Sequence, residues 1–377
     1  MESASRPKLV HSFLSQTSKI FFRLFIIGLI RIPGPSNAKQ NTNIEQKRVS
    51  AITTNQAIIS YIQNMAKICI VLATYNGEKY LPEMLDSLVA QTRPADMIIA
   101  IDDGSSDSTA KILEMNRTRL PMQILRSPKN QGHRAAFAKG LEEARLQLGN
   151  DDFVALADQD DIWLADKLET LENEIGDAAL VYGDAEVIDG KGQRTAPSWR
   201  EFSNIDTRNS MRRQIAGINN VTGCLSLFRA SLLPVILPIS ENVTVHDRWV
   251  AMHALKNGGI KPIPQTVVKY RIHGNNAVGG ARQPSMSETL ATQQKWIEEI
   301  LCHRHELKLS NGETRFAEKL LEISLLRQQS AFSLSAIPWA FANRHDLFLQ
   351  AGTIKTLQRV FFMAVGLPLA QKIFGKN

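Results

Sequence analysis

The sequence predicts an α/β protein whose mostly parallel, Rossmann-like sheet is flanked by helices. Four short apolar runs recur near residues 68, 97, 122 and 153. Each run is continuous rather than alternating, as expected for strands that are covered on both faces. Segments with apolar residues at helical spacing separate the runs, and strands that alternate with helices form parallel sheets with right-handed crossovers.

The individual elements follow in regular order along the chain. The predicted strands cover 68–73, 97–101, 122–125 and 153–157, and the predicted helices start after them, at 81–88, 108–115, 135–148 and 164–171. Pro82 lies near the start of the first helix, where its missing N–H costs no intrahelical bond. A further helix is predicted at 249–255, and the spacing of apolar residues becomes purely helical from 281 onward.

Composition and cysteine content exclude several classes of protein. The chain has 377 residues, 44% of them hydrophobic, which is too apolar for a mainly disordered protein. Cys69, Cys224 and Cys302 are too few and too far apart for a disulfide scaffold, and they suit a reducing compartment. No run of 18 uncharged apolar residues occurs, so no membrane span is predicted.

Charge divides the chain into a basic N-terminal extension (1–64), a central α/β domain (65–280) and a helical, basic C-terminal region (281–377). Residues 1–64 hold eight Lys and Arg against two acidic residues, and 282–377 hold twelve against eight, so the net charge of +7 lies in the flanks. Basic flanks favour an anionic partner, and a phospholipid surface fits where apolar residues accompany the charge. No nucleic-acid recognition motif is visible, so nucleic acid is not predicted as a partner.

Each flank contains a basic apolar stretch that leaves two interpretations open. Residues 20–30 carry one charge, Arg23, and are too short to span a bilayer but suit a helix in the headgroup region. Alternatively, 1–64 is not part of the native protein, since Met65 directly precedes the first strand. The stretch 351–374 predicts either a helix packed on the main domain or one bound at a membrane surface.

Polar side chains follow every predicted strand, at 74–78, 102–105, 130–134 and 158–161. Ligands of an open parallel sheet bind at the carboxyl ends of its strands, so these segments should share one rim. Crowded carboxylates repel one another unless a cation neutralises them. Asp158 and Asp160 form a D-x-D pair directly after a strand, and such oxygens suit Mn²⁺ or Mg²⁺ that also holds phosphates. The alternative is a solvated acidic turn that caps the next helix.

Several segments resemble a known family. Residues 70–81, 87–92 and 102–107 closely resemble the start of family 2 glycosyltransferases, which have the GT-A fold. Residues 157–163 (ADQDDIW), 245–249 (VHDRW) and 270–276 (YRIHGNN) resemble motifs of the bacterial rhamnosyltransferase-like subgroup. The resemblance covers about 67–280. Dinucleotide-binding, P-loop and nucleophile-elbow motifs are missing from the sequence, which argues against dehydrogenases, P-loop proteins and hydrolases.

The family implies transfer of a sugar, with inversion, from a nucleotide diphosphate sugar to an acceptor hydroxyl. Asp103 would accept hydrogen bonds from uracil or thymine, so the expected donor is a UDP- or dTDP-sugar. Rhamnose is suggested by the subgroup alone. An ordinary surface position remains an open alternative for Arg134. The nucleotide-binding residues implied by the resemblance are Thr74, Tyr75, Glu78, Asp102, Asp103, Arg134 and Asp158.

Inversion requires a base on the face of the sugar opposite the leaving group, and the family places it at Asp247. The alternative role for Asp247 is a helix cap. His273 would join Asp158 and Asp160 as a metal ligand, or would make no metal contact. The acceptor side is expected to include Trp163, Gly223 and His246, although core packing also explains a tryptophan.

The resemblance implies an enzyme that adds a sugar, which for the subgroup is rhamnose, to a cell-surface polysaccharide or lipid-linked glycan. It would work in the cytoplasm, peripherally on the inner face of the plasma membrane. Two rivals remain. A sugar nucleotidyltransferase should carry a Gly- and Arg-rich phosphate loop where Thr74–Gly77 stands, and an inactive carbohydrate-binding member should have lost an acid at 158, 160 or 247.

Overall fold

The computed structural model describes residues 66–274, 285–349 and 352–374. The predicted features of residues 1–64, including the apolar stretch 20–30, lie outside the described residues. The division of the chain into three regions stays a prediction.

One sheet of nine strands forms the centre of the described part of the chain. Its order is β3-β2-β1-β4-β8-β6-β9-β5, and β7 pairs with β6 at one side. The four strands predicted from apolar runs are confirmed as β1 to β4. The strands are β1 Ile68–Thr74, β2 Met97–Asp102, β3 Met122–Arg126, β4 Phe153–Asp158, β5 Ile162–Trp163, β6 Leu180–Ile188, β7 Arg194–Ala196, β8 Ser226–Arg229 and β9 Ile260–Arg271.

Helices follow most of the strands, and the predicted ones are confirmed with small shifts at their ends. Short 3₁₀ turns at Gly223–Leu225 and Ala230–Leu232 flank β8. The α-helices are α1 Leu81–Val89, α2 Thr109–Asn116, α3 His133–Gln147, α4 Lys167–Glu174, α5 Trp199–Phe202, α6 Met211–Ile215, α7 Leu233–Ile236, α8 His246–Lys256, α9 Met286–Cys302, α10 Asn311–Gln329, α11 Ala336–Ala342, α12 Arg344–Leu347, α13 Thr353–Phe362 and α14 Leu367–Phe374.

One antiparallel strand, β8, interrupts the middle of the sheet. Strands β3, β2, β1 and β4 are all parallel. Strand β8 then lies antiparallel between β4 and β6, and β6 pairs in parallel with β9. The loops after β1, β2 and β4 therefore share one edge, because parallel strands end on the same side.

Two apolar cores lie on opposite faces of the sheet, and successive residues of β1 alternate between them. Cys69 and Val71 face the core that includes Phe137 of α3. Ile68 and Ile70 face the core that includes Met84 of α1. This explains the continuous apolar runs, because a strand covered on both faces needs apolar side chains at every position.

The C-terminal helices α9 and α10 pack against the sheet domain. The Trp296 indole N–H donates to the Gln214 carbonyl over 3.0 Å, and Lys256 of α8 pairs with Glu313 of α10 at 2.7 Å. The predicted amphipathic stretch 351–374 contains two helices, α13 and α14. None of the described helices is long and apolar enough to cross a membrane.

Candidate active site

The loop after β1 is locked to the loop after β2 by reciprocal hydrogen bonds. The Gly77 amide donates to the Thr109 hydroxyl over 2.8 Å, and the Glu78 amide donates to the Asp107 carboxylate over 3.0 Å. In return, the Ser108 amide donates to the Glu78 carboxylate over 3.0 Å. Each loop thus satisfies donors of the other, and the two form one rigid rim.

Asp103 presents a carboxylate with one oxygen bound and the other without a partner. Its Oδ2 accepts from the backbone amides of Gln131 and Gly132 at 2.9 and 2.8 Å. Its Oδ1 is buried and has no hydrogen-bond partner in the described structure. A buried carboxylate oxygen left without a donor is costly, so the geometry is suited to a ligand N–H.

Two of the predicted nucleotide-binding residues lie inside the protein and support the strand ends. Asp102 is fully buried and accepts from the Ser105 amide at 2.9 Å, with the Arg126 guanidinium 3.1 Å away. The Thr74 hydroxyl donates to the Ile101 carbonyl over 2.9 Å. Their side chains hold the rim in place, and the backbone of Thr74 accepts the Asp103 amide at 2.8 Å.

Gln159, the middle residue of the D-x-D segment, binds the backbone of Tyr75 at both of its polar groups. Its side-chain oxygen accepts the Tyr75 N–H at 2.8 Å, and its side-chain nitrogen donates to the Tyr75 carbonyl over 2.9 Å. Gly77 leaves room for this amide, because a Cβ there would overlap the Gln159 oxygen. The sequence gives no signal for this role, because a D-x-D motif is recognised by its two aspartates and not by the residue between them.

Asp158 lies among other carboxylates at the end of β4. Burial, together with the charges of Asp160 and Asp247, raises its pKa to about 7. The predicted alternative of a helix-capping turn does not apply, because β5 intervenes and Asp166 holds the N-cap position of α4. The structure therefore brings Asp158, Asp160 and Asp247 close enough to repel one another.

A buried lysine lies beneath this cluster. Lys167 is fully buried, donates to the Cys224 carbonyl over 2.5 Å and sits 3.1 Å from the centre of the Trp163 ring. Burial lowers its pKa to about 7, although the charges of Cys224, Asp161 and Asp158 oppose that shift. Lys167 is an internal cation that partly offsets the acidic cluster, and no sequence pattern pointed to it.

Asp158, Asp161 and Cys224 bring possible ligand atoms within 4.8 Å of one another. Burial, the largest influence, raises the pKa of Asp161 and of the Cys224 thiol well above their ordinary values. Asp161 also accepts the Arg271 backbone amide at 3.0 Å, so it links the end of β4 to β9.

Asp160 points to the other side of the segment, towards His273. The His273 Nε2 and the Asp160 Oδ2 lie 2.8 Å apart, and the His273 ring packs against Tyr80 at 4.9 Å between ring centres. Arg271 holds this corner together: its Nε donates to the Asp160 carbonyl over 2.7 Å, and its Nη2 pairs with Glu83 at 2.6 Å. His273 and Asp160 are thus placed together, as the sequence predicted, and Arg271 is a residue that it missed.

Asp247 lies in the first turn of α8. Its Oδ1 accepts from the Asn219 side-chain amide at 2.9 Å, and its Oδ2 accepts from the Gly223 amide at 3.1 Å. Val245 occupies the N-cap position, so Asp247 does not cap the helix. Burial raises the pKa of Asp247 to about 6, against the lowering effect of these hydrogen bonds. A carboxylate that is oriented and poised near neutral pH suits a general base.

The remaining predicted residues take varied positions. Gly223 lies against Asp247, and a Cβ there would stand 3.3 Å from the Asp247 Cβ. Trp163 is 3% exposed and lies in the core. His246 is 6% exposed and stacks on Phe137 at 4.0 Å, and burial lowers its pKa to about 3. Arg134 is half-buried at the start of α3, and its Nη1 lies 3.5 Å from the Ile239 carbonyl.

Comparisons with known proteins identify similar sequences and a similar fold. Residues 69–237 match the family model described as glycosyl transferase family 2. A Bacillus subtilis relative, the uncharacterized glycosyltransferase YwdF, is 37% identical over 123 residues, which are 32% of this chain and 43% of that protein. The chain therefore spans less than half the length of that relative. Resemblance to family 2 is confirmed at the level of the domain.

A second relative is the Escherichia coli UDP-Glc:alpha-D-GlcNAc-diphosphoundecaprenol beta-1,3-glucosyltransferase WfgD. It is 29% identical over 218 residues, which cover 54% of this chain and 77% of that protein. The rhamnosyltransferase-like subgroup is not confirmed by these matches.

Among solved structures, Staphylococcus aureus TarS 1-349 in complex with UDP-GlcNAc superposes with a TM-score of 0.52 at 18% identity. The superposition covers 79% of this chain and 84% of that chain. The predicted GT-A-like fold, a mostly parallel sheet flanked by helices with a helical C-terminal region, is confirmed.

Proposed function

We propose that this chain, whose residues 69–237 match the model of glycosyl transferase family 2, transfers a sugar with inversion from a nucleoside diphosphate sugar to an acceptor hydroxyl. One observation carries the proposal. A half-satisfied Asp103 at the end of β2 and the D-x-D carboxylates at the end of β4 share one rim, and Asp247 lies beside Asp158. The rim thus offers places, one after another, for the nucleobase, the diphosphate and the acceptor.

The nucleotide half of the site is formed by the interlocked loops after β1 and β2. The unpartnered Oδ1 of Asp103 would accept an N–H of the pyrimidine ring. Tyr75 is 43% exposed beside it, and its backbone is held by Gln159. Glu78 and the internal Asp102 and Thr74 keep the two loops in register, and Arg134 supplies a cation at the start of α3 for the phosphates.

Asp158 and Asp160 at the end of β4 are proposed to hold a hard divalent cation such as Mn²⁺ or Mg²⁺. Asp158 and Asp160 offer carboxylate oxygens, and His273 offers an imidazole nitrogen 2.8 Å from Asp160. Burial is the largest cause of the raised pKa of Asp158, and the charges of Asp160 and Asp247 add to it, as expected where carboxylates lie together without a cation. When bound there, the cation would supply charge neutralisation for the departing diphosphate.

Asp247 would take the proton of the acceptor hydroxyl. The acceptor oxygen forms a bond to the anomeric carbon, the bond from that carbon to the diphosphate oxygen breaks, and the electron pair leaves with the nucleoside diphosphate. Asn219 and Gly223 hold the Asp247 carboxylate by two hydrogen bonds. The small Gly223 leaves the acceptor side open, while His246 and Trp163 support this region from the core.

The donor is proposed to be a UDP-sugar carrying glucose or N-acetylglucosamine. This follows the stated donor of the Escherichia coli relative and the ligand of the TarS structure. The acceptor is proposed to be a lipid-linked glycan or cell-surface polysaccharide, reached from the cytoplasmic side of the membrane. In this proposal, 65–280 would form the transferase domain and 281–377 its helical support. Residues 1–64 would form an N-terminal extension.

A product assay tests the reaction class. The purified protein is incubated with UDP-glucose, UDP-N-acetylglucosamine and dTDP-rhamnose in turn, with Mn²⁺ or with a chelator, and the release of nucleoside diphosphate is measured. We expect release from a UDP-sugar that depends on the metal and on an added acceptor. Release of pyrophosphate from nucleotide triphosphate and sugar phosphate would instead identify a nucleotidyltransferase. Absence of any release with every donor and acceptor would contradict the proposal.

A further inference from the structure

Exposed apolar side chains are concentrated on α11 and α13. Phe341, Ile354, Leu357 and Phe361 are 47%, 76%, 49% and 56% exposed. These four residues are called the C-terminal apolar face below. Three of them, Phe341, Leu357 and Phe361, line a shallow cavity of about 480 Å³ together with Ile337, Pro338 and Val360. A large exposed apolar patch marks an interaction surface more often than a scattered leucine does.

The apolar residues of α13 recur at helical spacing, and the rest of the protein covers only one side of this helix. Ile354, Leu357 and Phe361 lie three and four residues apart, so they project from one side of α13. Within α13, the buried residue is Val360. The sequence left open whether this stretch packs on the domain or stays at the surface, and the structure shows a helix whose main apolar stripe faces outward.

The helices that carry the face are firmly attached to the domain. Buried Arg327 of α10 donates from Nε to the Val365 carbonyl over 3.0 Å and from Nη2 to the Phe362 carbonyl over 3.3 Å. Gly366 packs so closely on the 330–333 segment that a Cβ would overlap the Ser330 carbonyl. The face is therefore presented by a fixed element rather than by a loose end.

Basic side chains lie beside the face and on the helices next to it. Arg344 lies 4.7 Å from the centre of the Phe341 ring, Lys355 is exposed on α13, and Lys372 is exposed on α14. Among residues 331–374 there are four Lys and Arg against one acidic residue, Asp346. Asp346 lies 3.9 Å from Arg212, so its charge is partly offset.

We infer that the C-terminal apolar face binds the surface of an anionic lipid bilayer, with the apolar side chains among the acyl chains and the basic ones at the headgroups. Charge decides between the possible occupants. A second copy would bring the same positive surface, and residues 1–64 carry a net charge of +6, so both are repelled. Anionic lipid complements both the apolar area and the charge.

Vesicle binding by the full-length protein tests this inference without donor or acceptor. Co-sedimentation is compared between vesicles of phosphatidylcholine alone and vesicles that also contain phosphatidylglycerol. We expect binding that needs phosphatidylglycerol and weakens with salt. The double variant Ile354→Ser/Phe361→Ser should bind at least about tenfold more weakly. Lys355→Gln should weaken binding by about fivefold.

The matched control is Leu146→Ser on α3, because Leu146 is exposed to the same 76% as Ile354. It should bind vesicles like the unchanged protein. The inference is overturned if the double variant binds like the unchanged protein, or if phosphatidylglycerol makes no difference. It is also overturned if the double variant only dissociates a dimer in sedimentation velocity, or if deleting 1–64 alone abolishes binding. Transfer to a short soluble acceptor is measured in parallel, and its failure bears on the proposed function instead.

Discussion

Replacement of Asp247 by Asn is expected to stop transfer and, at the same time, to stabilise the protein at neutral pH. Burial raises the pKa of Asp247 from 3.8 to about 6. The native state therefore holds this proton more tightly than the unfolded chain. Its contribution to stability is fully present below the unfolded pKa and is lost as the pH rises through about 6. Asn carries no charge, so the variant does not lose this stability as the pH rises.

The size of the effect follows from the shift. About two pKa units at about 1.4 kcal/mol each make the ionised carboxylate up to about 3 kcal/mol unfavourable above pH 6. The Asn amide group would turn a donor towards the N–H of Asn219 or Gly223, which costs about 1 kcal/mol. We expect the free energy of unfolding of the variant to exceed that of the unchanged protein by about 1–2 kcal/mol near neutral pH, and to lose this advantage near pH 4.

Urea unfolding followed by tryptophan fluorescence across this pH range measures the difference. Transfer by the unchanged protein should rise with pH through about 6, since a base acts when ionised, and the variant should lose at least about a hundredfold in kcat.

Asp206→Asn is the matched control. Burial, the largest influence on Asp206, raises its pKa, but the bonds and charges of Arg208 and Arg213 together outweigh it and lower the pKa. This variant should therefore lose stability at neutral pH and lose less in acid. A stability difference for Asp247→Asn that stays constant with pH would refute the raised pKa. Retained transfer would refute the assignment of the base.

Four further substitutions probe other parts of the site and fold. Asp103→Asn should weaken donor binding by about tenfold or more in calorimetry, because a hydrogen bond to a charged acceptor is lost. Unchanged affinity would show that Asp103 does not bind the pyrimidine ring of the donor. Asp160→Asn should abolish stimulation by Mn²⁺ in the release assay, and a retained metal response would exclude Asp160 as a ligand. Gln159→Leu should lower the free energy of unfolding by about 1 kcal/mol, because two hydrogen bonds to the exposed backbone of Tyr75 are exchanged for bonds to water, and an unaltered melting curve would show that these bonds do not stabilise the β1 loop. Gly366→Ala should cost about 2 kcal/mol or more through its clash with the Ser330 carbonyl, and a wild-type melting temperature would argue against that close contact.

The parallel half of the sheet was predictable because its signals are local. Strands β1, β2 and β4 are continuous apolar runs, each followed within a few residues by polar loop residues. The other half was not predicted in detail. Strand β9 contains Pro262, and it pairs with β6 from about 80 residues earlier in the chain, with shifts in register. Such pairing depends on tertiary contacts that periodicity within one segment does not record.

The residues of the site also divide into those with a local sequence signal and those without one. The D-x-D aspartates, Asp103 and Asp247 stand in recognisable motifs, and the structure places Asp160 and Asp247 within electrostatic reach of Asp158. Lys167 and Arg271 had no comparable signal, because lysine and arginine are normally exposed and their burial depends on partners far along the chain. Gln159 was overlooked because its task is to hold a neighbouring loop, which only the folded geometry reveals.

The antiparallel strand β8 has a consequence for how the protein can diversify. It separates a half assembled from consecutive βα units, residues 68–158, from a half assembled from distant pieces of chain. Asp247 and Gly223 belong to the second half, while Asp103 belongs to the first. Under the proposed function, exchanging 189–259 between relatives would therefore change the acceptor side while leaving the loops after β1 and β2 unaltered.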